Sequence, residues 1–83
     1  MTEKDVQRMV NEGLETNAEI IGLDTNSKVV HVKYMKGEYI EYAVLRYNDR
    51  GVYGGRYFST FDKNEEETFN QSFSIYRAIV FDV

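Results

Sequence analysis

The feature that most limits the fold lies between residues 18 and 61, where four strand-like runs are separated by three short polar breaks. The runs are "AEIIGLD" (18–24), "VVHVKYM" (29–35), "YIEYAVLRY" (39–47) and "VYGGRYFSTF" (52–61). They are rich in β-branched and aromatic residues, which suit a pleated, half-buried surface. The breaks "TNSK", "KGE" and "NDRG" carry turn chemistry, because Asn, Asp and Ser side chains bond nearby backbone and Gly accepts positive φ. None of the breaks is long enough for a crossover, so consecutive runs must pair antiparallel.

The flanks read differently. Thr2 followed by Asp5 resembles a capping box, and Val6, Met9, Val10 and Leu14 fall on one face of a helix that ends near residues 12–15. Towards the C-terminus, "DKNEEE" looks like a helix start with Asp62 as cap and acids in the first turn. Phe69, Phe73, Tyr76 and Val80 then fit helical spacing, but "SIYRAIVFDV" is β-branched and aromatic, which favours a strand, so residues 71–83 read either way. The expected architecture is therefore α+β. An N-terminal helix precedes an antiparallel meander of four to five strands, open or curled towards a barrel. A short helix follows near 62–70 and a last strand near 74–82, all in one domain over 1–83.

Side-chain pattern selects a register for the hairpin between the second and third runs. A three-residue loop of Lys36, Gly37 and Glu38 sets Met35 against Tyr39, and Val30, Val32 and Tyr34 against Val44, Tyr42 and Ile40. It also sets Lys33 against Glu41 as a cross-strand ion pair. The other face then carries Met35, Tyr39, Ala43, Leu45 and Tyr47 beside His31, Lys33 and Glu41, less polar than a solvated face, so something should cover it: the N-terminal helix, sheet curling or a partner.

Composition excludes several chemistries. The 83 residues include no cysteine, so disulfides, thiolate metal sites and cysteine nucleophiles are absent. The charged N-terminus has no apolar signal region, and a cytoplasmic location is expected. Ten bases against fourteen acids give a net charge of −4, which disfavours a phosphate backbone and favours a basic protein surface. The lone histidine, His31, sits mid-strand and is expected to point outward, with no serine or acid at triad spacing. "DTNSK" and "DKNEE" begin like calcium loops but lack the glycine and closing glutamate. No phosphate-loop or dinucleotide glycine pattern is present. The order helix, strands, helix is similar to that of the double-stranded-RNA-binding domain. That family's basic helix start is replaced here by "DKNEEE", so RNA binding does not carry over.

Seven tyrosines remain as the main functional signal, since tyrosine supplies rigid contact area with a polar tip. The expectation is a small acidic, non-enzymatic protein-binding module of inhibitor or adaptor type, with no cofactor, docking on a larger and basic protein partner. One version is a phage or mobile-element protein that blocks a host nucleic-acid enzyme. The candidate contact residues are Tyr39, Tyr47, Arg50, Tyr53, Arg56, Glu65, Glu66 and Glu67. The alternative is a small-ligand or metal-binding domain among the strand tyrosines. A nucleic-acid binder follows only if Lys33, Arg46, Arg50 and Arg56 share a face, and a homodimer through a free edge is also open. Gly54-Gly55 inside the last run marks either a bend in the strand or a notch for a partner.

Overall fold

The computed structural model describes residues 1–81. Helix α1 (Glu3–Leu14) precedes strands β1 (Glu19–Asp24), β2 (Val29–Lys36), β3 (Tyr39–Asn48) and β4 (Gly51–Ser59), and helix α2 (Glu65–Phe81) closes the chain. The strands form one antiparallel sheet in the order β1-β2-β3-β4. The sheet stays open, so curling into a barrel does not occur.

The start of α1 follows its sequence signature. Thr2 caps it, the Asp5 backbone N–H donates to Thr2 Oγ1 at 3.2 Å, and Asp5 Oδ2 accepts from the Thr2 backbone at 2.9 Å. Those bonds hold the Asp5 carboxyl below its usual range. The helix ends at Glu15, which takes the left-handed conformation. Val6, Met9 and Val10 then meet Val30, Val32, Ala43, Leu45 and Tyr47 in one apolar cluster on the first face of the sheet.

The β2–β3 register differs from the expected one by a single residue. Lys36 pairs with Tyr39 around a two-residue turn, Gly37-Glu38, in which Gly37 has φ 63°. Such a turn matches the twist of the flanking strands. Val30, Val32 and Tyr34 accordingly face Leu45, Ala43 and Glu41, while Lys33 lies across from Tyr42 and not Glu41. The one-residue slip exchanges the two faces of β3. Pattern alone favoured one purely apolar face, but both faces of this sheet are covered by helices, so neither needs to be polar.

The second cover is α2, and here the expected final strand is overturned. Residues 65–81 form one continuous helix. Residue 82 of the expected strand lies outside the described residues. The cap is Asn64, two residues beyond the expected Asp62: its Oδ1 accepts from the Glu67 backbone N–H at 2.8 Å. Phe69, Ser72, Phe73 and Tyr76 recur at helical spacing and close over His31, and this tertiary packing overrides the β propensity of "SIYRAIVF". No helix among the described residues is long and apolar enough to cross a membrane.

Candidate binding site

Strand β4 is an edge of the sheet, and its residues 53–57 are all exposed. Its pairing with β3 runs Tyr47 to Val52 and Arg46 to Tyr53, then skips to Leu45 opposite Gly55. Gly54 is the extra residue of a β-bulge at φ 50°, a conformation that glycine reaches without penalty. The glycine pair thus makes a local bulge without the curling of the sheet towards a barrel that a bend here was expected to bring. The bulge also re-aims side chains: Tyr53 and Arg56 both fall on the α2 side of the sheet, while Tyr57 falls on the α1 side, across from Ala43. Tyr53 and Tyr57 are 53% and 55% exposed.

Between β4 and α2 runs a groove of two adjoining parts, of about 410 and 450 Å³, which share Arg56 and Ile75. Val44, Arg46, Arg56 and Ile79 line the first part. The ion pairs among the described residues are Arg8 with Asp5 and Lys33 with Glu65, so Arg46 and Arg56 are both free. No acid occurs in β4 itself.

The candidate residues separate into groups. Tyr53 and Arg56 share the α2 side of this edge, whereas Arg50 lies in the turn before β4, beside Met9 and Glu12 of α1. Tyr39 lies elsewhere, with its ring edge-on to Phe61 at 5.1 Å. Glu65 is engaged: its Oε2 accepts from Lys33 Nζ at 2.8 Å and from the Tyr42 hydroxyl at 2.9 Å, and those bonds, Lys33 first, hold its carboxyl below the usual range. Glu66 and Glu67 are exposed in the first turn of α2. Tyr47 is a correction, since it is 4% exposed within the α1-side core and offers no contact surface. Lys33, Arg46 and Arg56 do share the α2 side, but Lys33 is neutralised by Glu65 and Arg50 sits in a turn. Tyr57 and Arg46 were not among the contact candidates; the bulge that exposes Tyr57 on its own side follows from the φ of Gly54, which sequence does not print.

A second site opens on the α1 side. A cleft of about 750 Å³ lies between the C-terminal end of α1 and the β2–β3 hairpin, lined by Thr16, Tyr34, Lys36, Glu41 and Tyr57 among others. At its floor the Tyr34 hydroxyl donates to Glu41 Oε1. Both residues are buried, Glu41 to 8% exposure. Burial, followed by the bond to Glu41, raises the Tyr34 pKa well above the tyrosine range. Glu41 was expected opposite Lys33 as an ion pair; the observed register instead turns it to the other face.

His31 is the third feature. It is buried on the α2 side, not outward-facing as expected. Its Nε2 lies 2.8 Å from Ser72 Oγ, and the rings of Tyr76 and Phe69 stack on it at 5.3 and 5.9 Å. The Ser72 hydroxyl in turn donates to the Phe69 carbonyl at 2.9 Å. A hydroxyl has one proton, so the arrangement that satisfies every group has Nε2–H donating to Ser72. Burial pushes the imidazole pKa down to about 4, and the ring is neutral near pH 7. Gly22 makes room for this cage: a Cβ there would stand 2.9 Å from the Tyr76 ring. Walled off in this way, His31 serves packing and cannot reach a substrate. No group of three or more His, Asp or Glu side chains able to hold a metal occurs among the described residues. Comparison of the chain with protein-family models, with curated proteins and with solved structures finds no match.

Proposed function

We propose that the chain is a non-enzymatic protein-binding module that docks a partner along the β4 edge. The observation that carries this reading is the exposed stretch 53–57, whose outer edge pairs with no strand among the described residues, flanked on one side by Tyr57 and on the other by Tyr53 and the groove against α2. A free edge presents a row of backbone donors and acceptors to an incoming extended segment, which would add as a fifth strand. The tyrosines on either side supply contact area at low entropic cost. Arg46 and Arg56 set the local sign: although the chain carries −4 overall, this edge is basic and calls for an acidic partner segment. A module of this kind acts as an inhibitor or adaptor by occupying a surface.

The test is quantitative binding of a partner captured by the wild-type chain. The paired change Tyr53→Ala and Arg56→Glu is expected to weaken it by about 100-fold, whereas Glu66→Lys at the far end of α2 leaves it unchanged. Wild-type affinity in the β4 variant, with loss in the Glu66 variant, would move docking to the acidic end. Failure of the wild type to retain any partner would remove the reading altogether. A second reading, a small-ligand site, is favoured by the buried carboxylate in the α1-side cleft.

A further inference from the structure

The structure assigns the α1-side cleft to an organic cation, an alkylammonium or guanidinium group seated against Glu41. This assignment does not rest on docking at β4, although Tyr57 borders both surfaces. Glu41 is more than nine-tenths buried, yet no cation among the described residues pairs with it. Oε1 takes the Tyr34 hydroxyl. Oε2 makes no hydrogen bond, and because no buried side-chain oxygen among the described residues lacks a partner, Oε2 must reach open space, which here is the cleft. A carboxylate withdrawn from water and left without a counter-charge is costly, and a ligand that brings positive charge and N–H donors relieves that cost.

Three further features point to the same sign of charge. The C-terminal end of α1 lies at the cleft, and its last turn contains no basic residue, so the negative end of the helix dipole is uncompensated. Glu15 adds a second carboxylate on the lining. The rings of Tyr34 and Tyr57 form aromatic walls, which attract a cation over their faces. Lys36 also lines the cleft, but its ammonium pairs with neither acid. Two carboxylates are too few donors to enclose a divalent metal, whereas an ammonium or guanidinium needs only one acceptor and an apolar wall. The stem of such a ligand would lie along Leu14 and Met35.

The experiment is NMR titration of the intact chain with n-butylammonium, with the peptide acetyl-Gly-Lys-Gly-amide, and with n-butanol as the uncharged control. Saturable shifts confined to Gly13–Thr16, Tyr34–Gly37 and Glu41 are expected for either cation, and none for n-butanol. Tighter binding of the peptide would identify the natural cation as a protein lysine; tighter binding of the free amine would identify a small metabolite. Glu41→Gln is expected to weaken cation binding about tenfold and Tyr57→Leu about threefold. Equal responses to n-butanol and n-butylammonium would overturn the assignment, as would full affinity in a folded Glu41→Gln variant. Should Glu41→Gln fail to fold, the contrast between ammonium and alcohol in the wild type, together with Tyr57→Leu, decides the matter alone: no contrast, or no loss in Tyr57→Leu, overturns it.

Discussion

The two sides of the sheet are built by different means. On the α1 side, Val6, Val10, Val30, Val32, Ala43 and Leu45 are almost wholly buried, and α1 contributes a narrow apolar stripe that fits between them. On the α2 side, the centre is a neutral imidazole ringed by aromatics and tied to a helix serine, and the covering helix is apolar well beyond the stripe it buries. Phe73 is 40% exposed and Phe81 69%. The contrast teaches a division of labour. The α1 side stabilises by excluding water from aliphatic area. The α2 side is specified by ring stacking and one buried hydrogen bond, and it leaves unsaturated surface beside β4, where the proposed docking groove lies.

Cavity formation should separate the two sides most clearly. Leu45→Ala, in the α1-side core, is expected to cost about 4 kcal/mol in urea unfolding, and Phe73→Ala, half in solvent, about 1 kcal/mol. Equal costs would erase the distinction.

Acid should then attack the α2 side selectively. The folded pKa of His31 is about 4 against an ordinary 6.5, so as pH falls the unfolded chain takes up the proton first. The stability that depends on a neutral His31 is complete above pH 6.5, declines between 6.5 and about 4, and then levels off. The total loss is about 3 kcal/mol. Asp5, Asp24 and Glu65, whose carboxyls sit below their usual range, also give up stabilisation as pH falls through the carboxylate range. The informative quantity is therefore the difference between wild type and His31→Leu across that window. A His31→Leu protein with the same slope between pH 6.5 and 4 would show that the imidazole is not what makes the α2 side acid-sensitive.

A smaller change sharpens the picture further. Gly22→Ala forces a methyl group into the Tyr76 ring and is expected to cost about 2 kcal/mol. Near-UV circular dichroism should register the displaced ring. An unchanged spectrum and midpoint would mean that Tyr76 does not rest on β1.

Much of this architecture was legible in the chain. The capping box of Thr2 and Asp5, the helical stripe of Val6, Met9 and Val10, and four short-turned strands all carry local signals, and each appears where those signals place it. The glycine pair at 54–55 narrowed β4 to a bulge, a bend or a close approach, and the bulge at Gly54 is the one that occurs. What failed was non-local. The helical spacing of Phe69, Phe73 and Tyr76 outweighs the β-branched composition only once His31 lies beneath it, and His31 lies beneath it only in the correct β2–β3 register. One misjudged turn thus hid both the histidine cage and the carboxylate in the cleft. Of the candidate contacts, Tyr53 and Arg56 share one side because the bulge lies between them, Arg50 stays in the turn beside α1, and burial, which alternation cannot supply, withdrew Tyr47.

The Gly37-Glu38 turn has a consequence for how this chain can change over time. It is exposed, and exposed turns ordinarily absorb insertions and deletions at little cost. Here the turn counts residues modulo two. One added residue that entered β3, with the two-residue turn kept, would present Tyr42 and Val44 to α1 and hand Glu41, Ala43 and Leu45 to α2, inverting every later position of β3 at once. The tip of this hairpin is thus free to vary in chemistry but not to shift the strand by an odd number of residues, so the parity of the β2–β3 pairing, not the turn sequence, is the quantity to look for in any related chain.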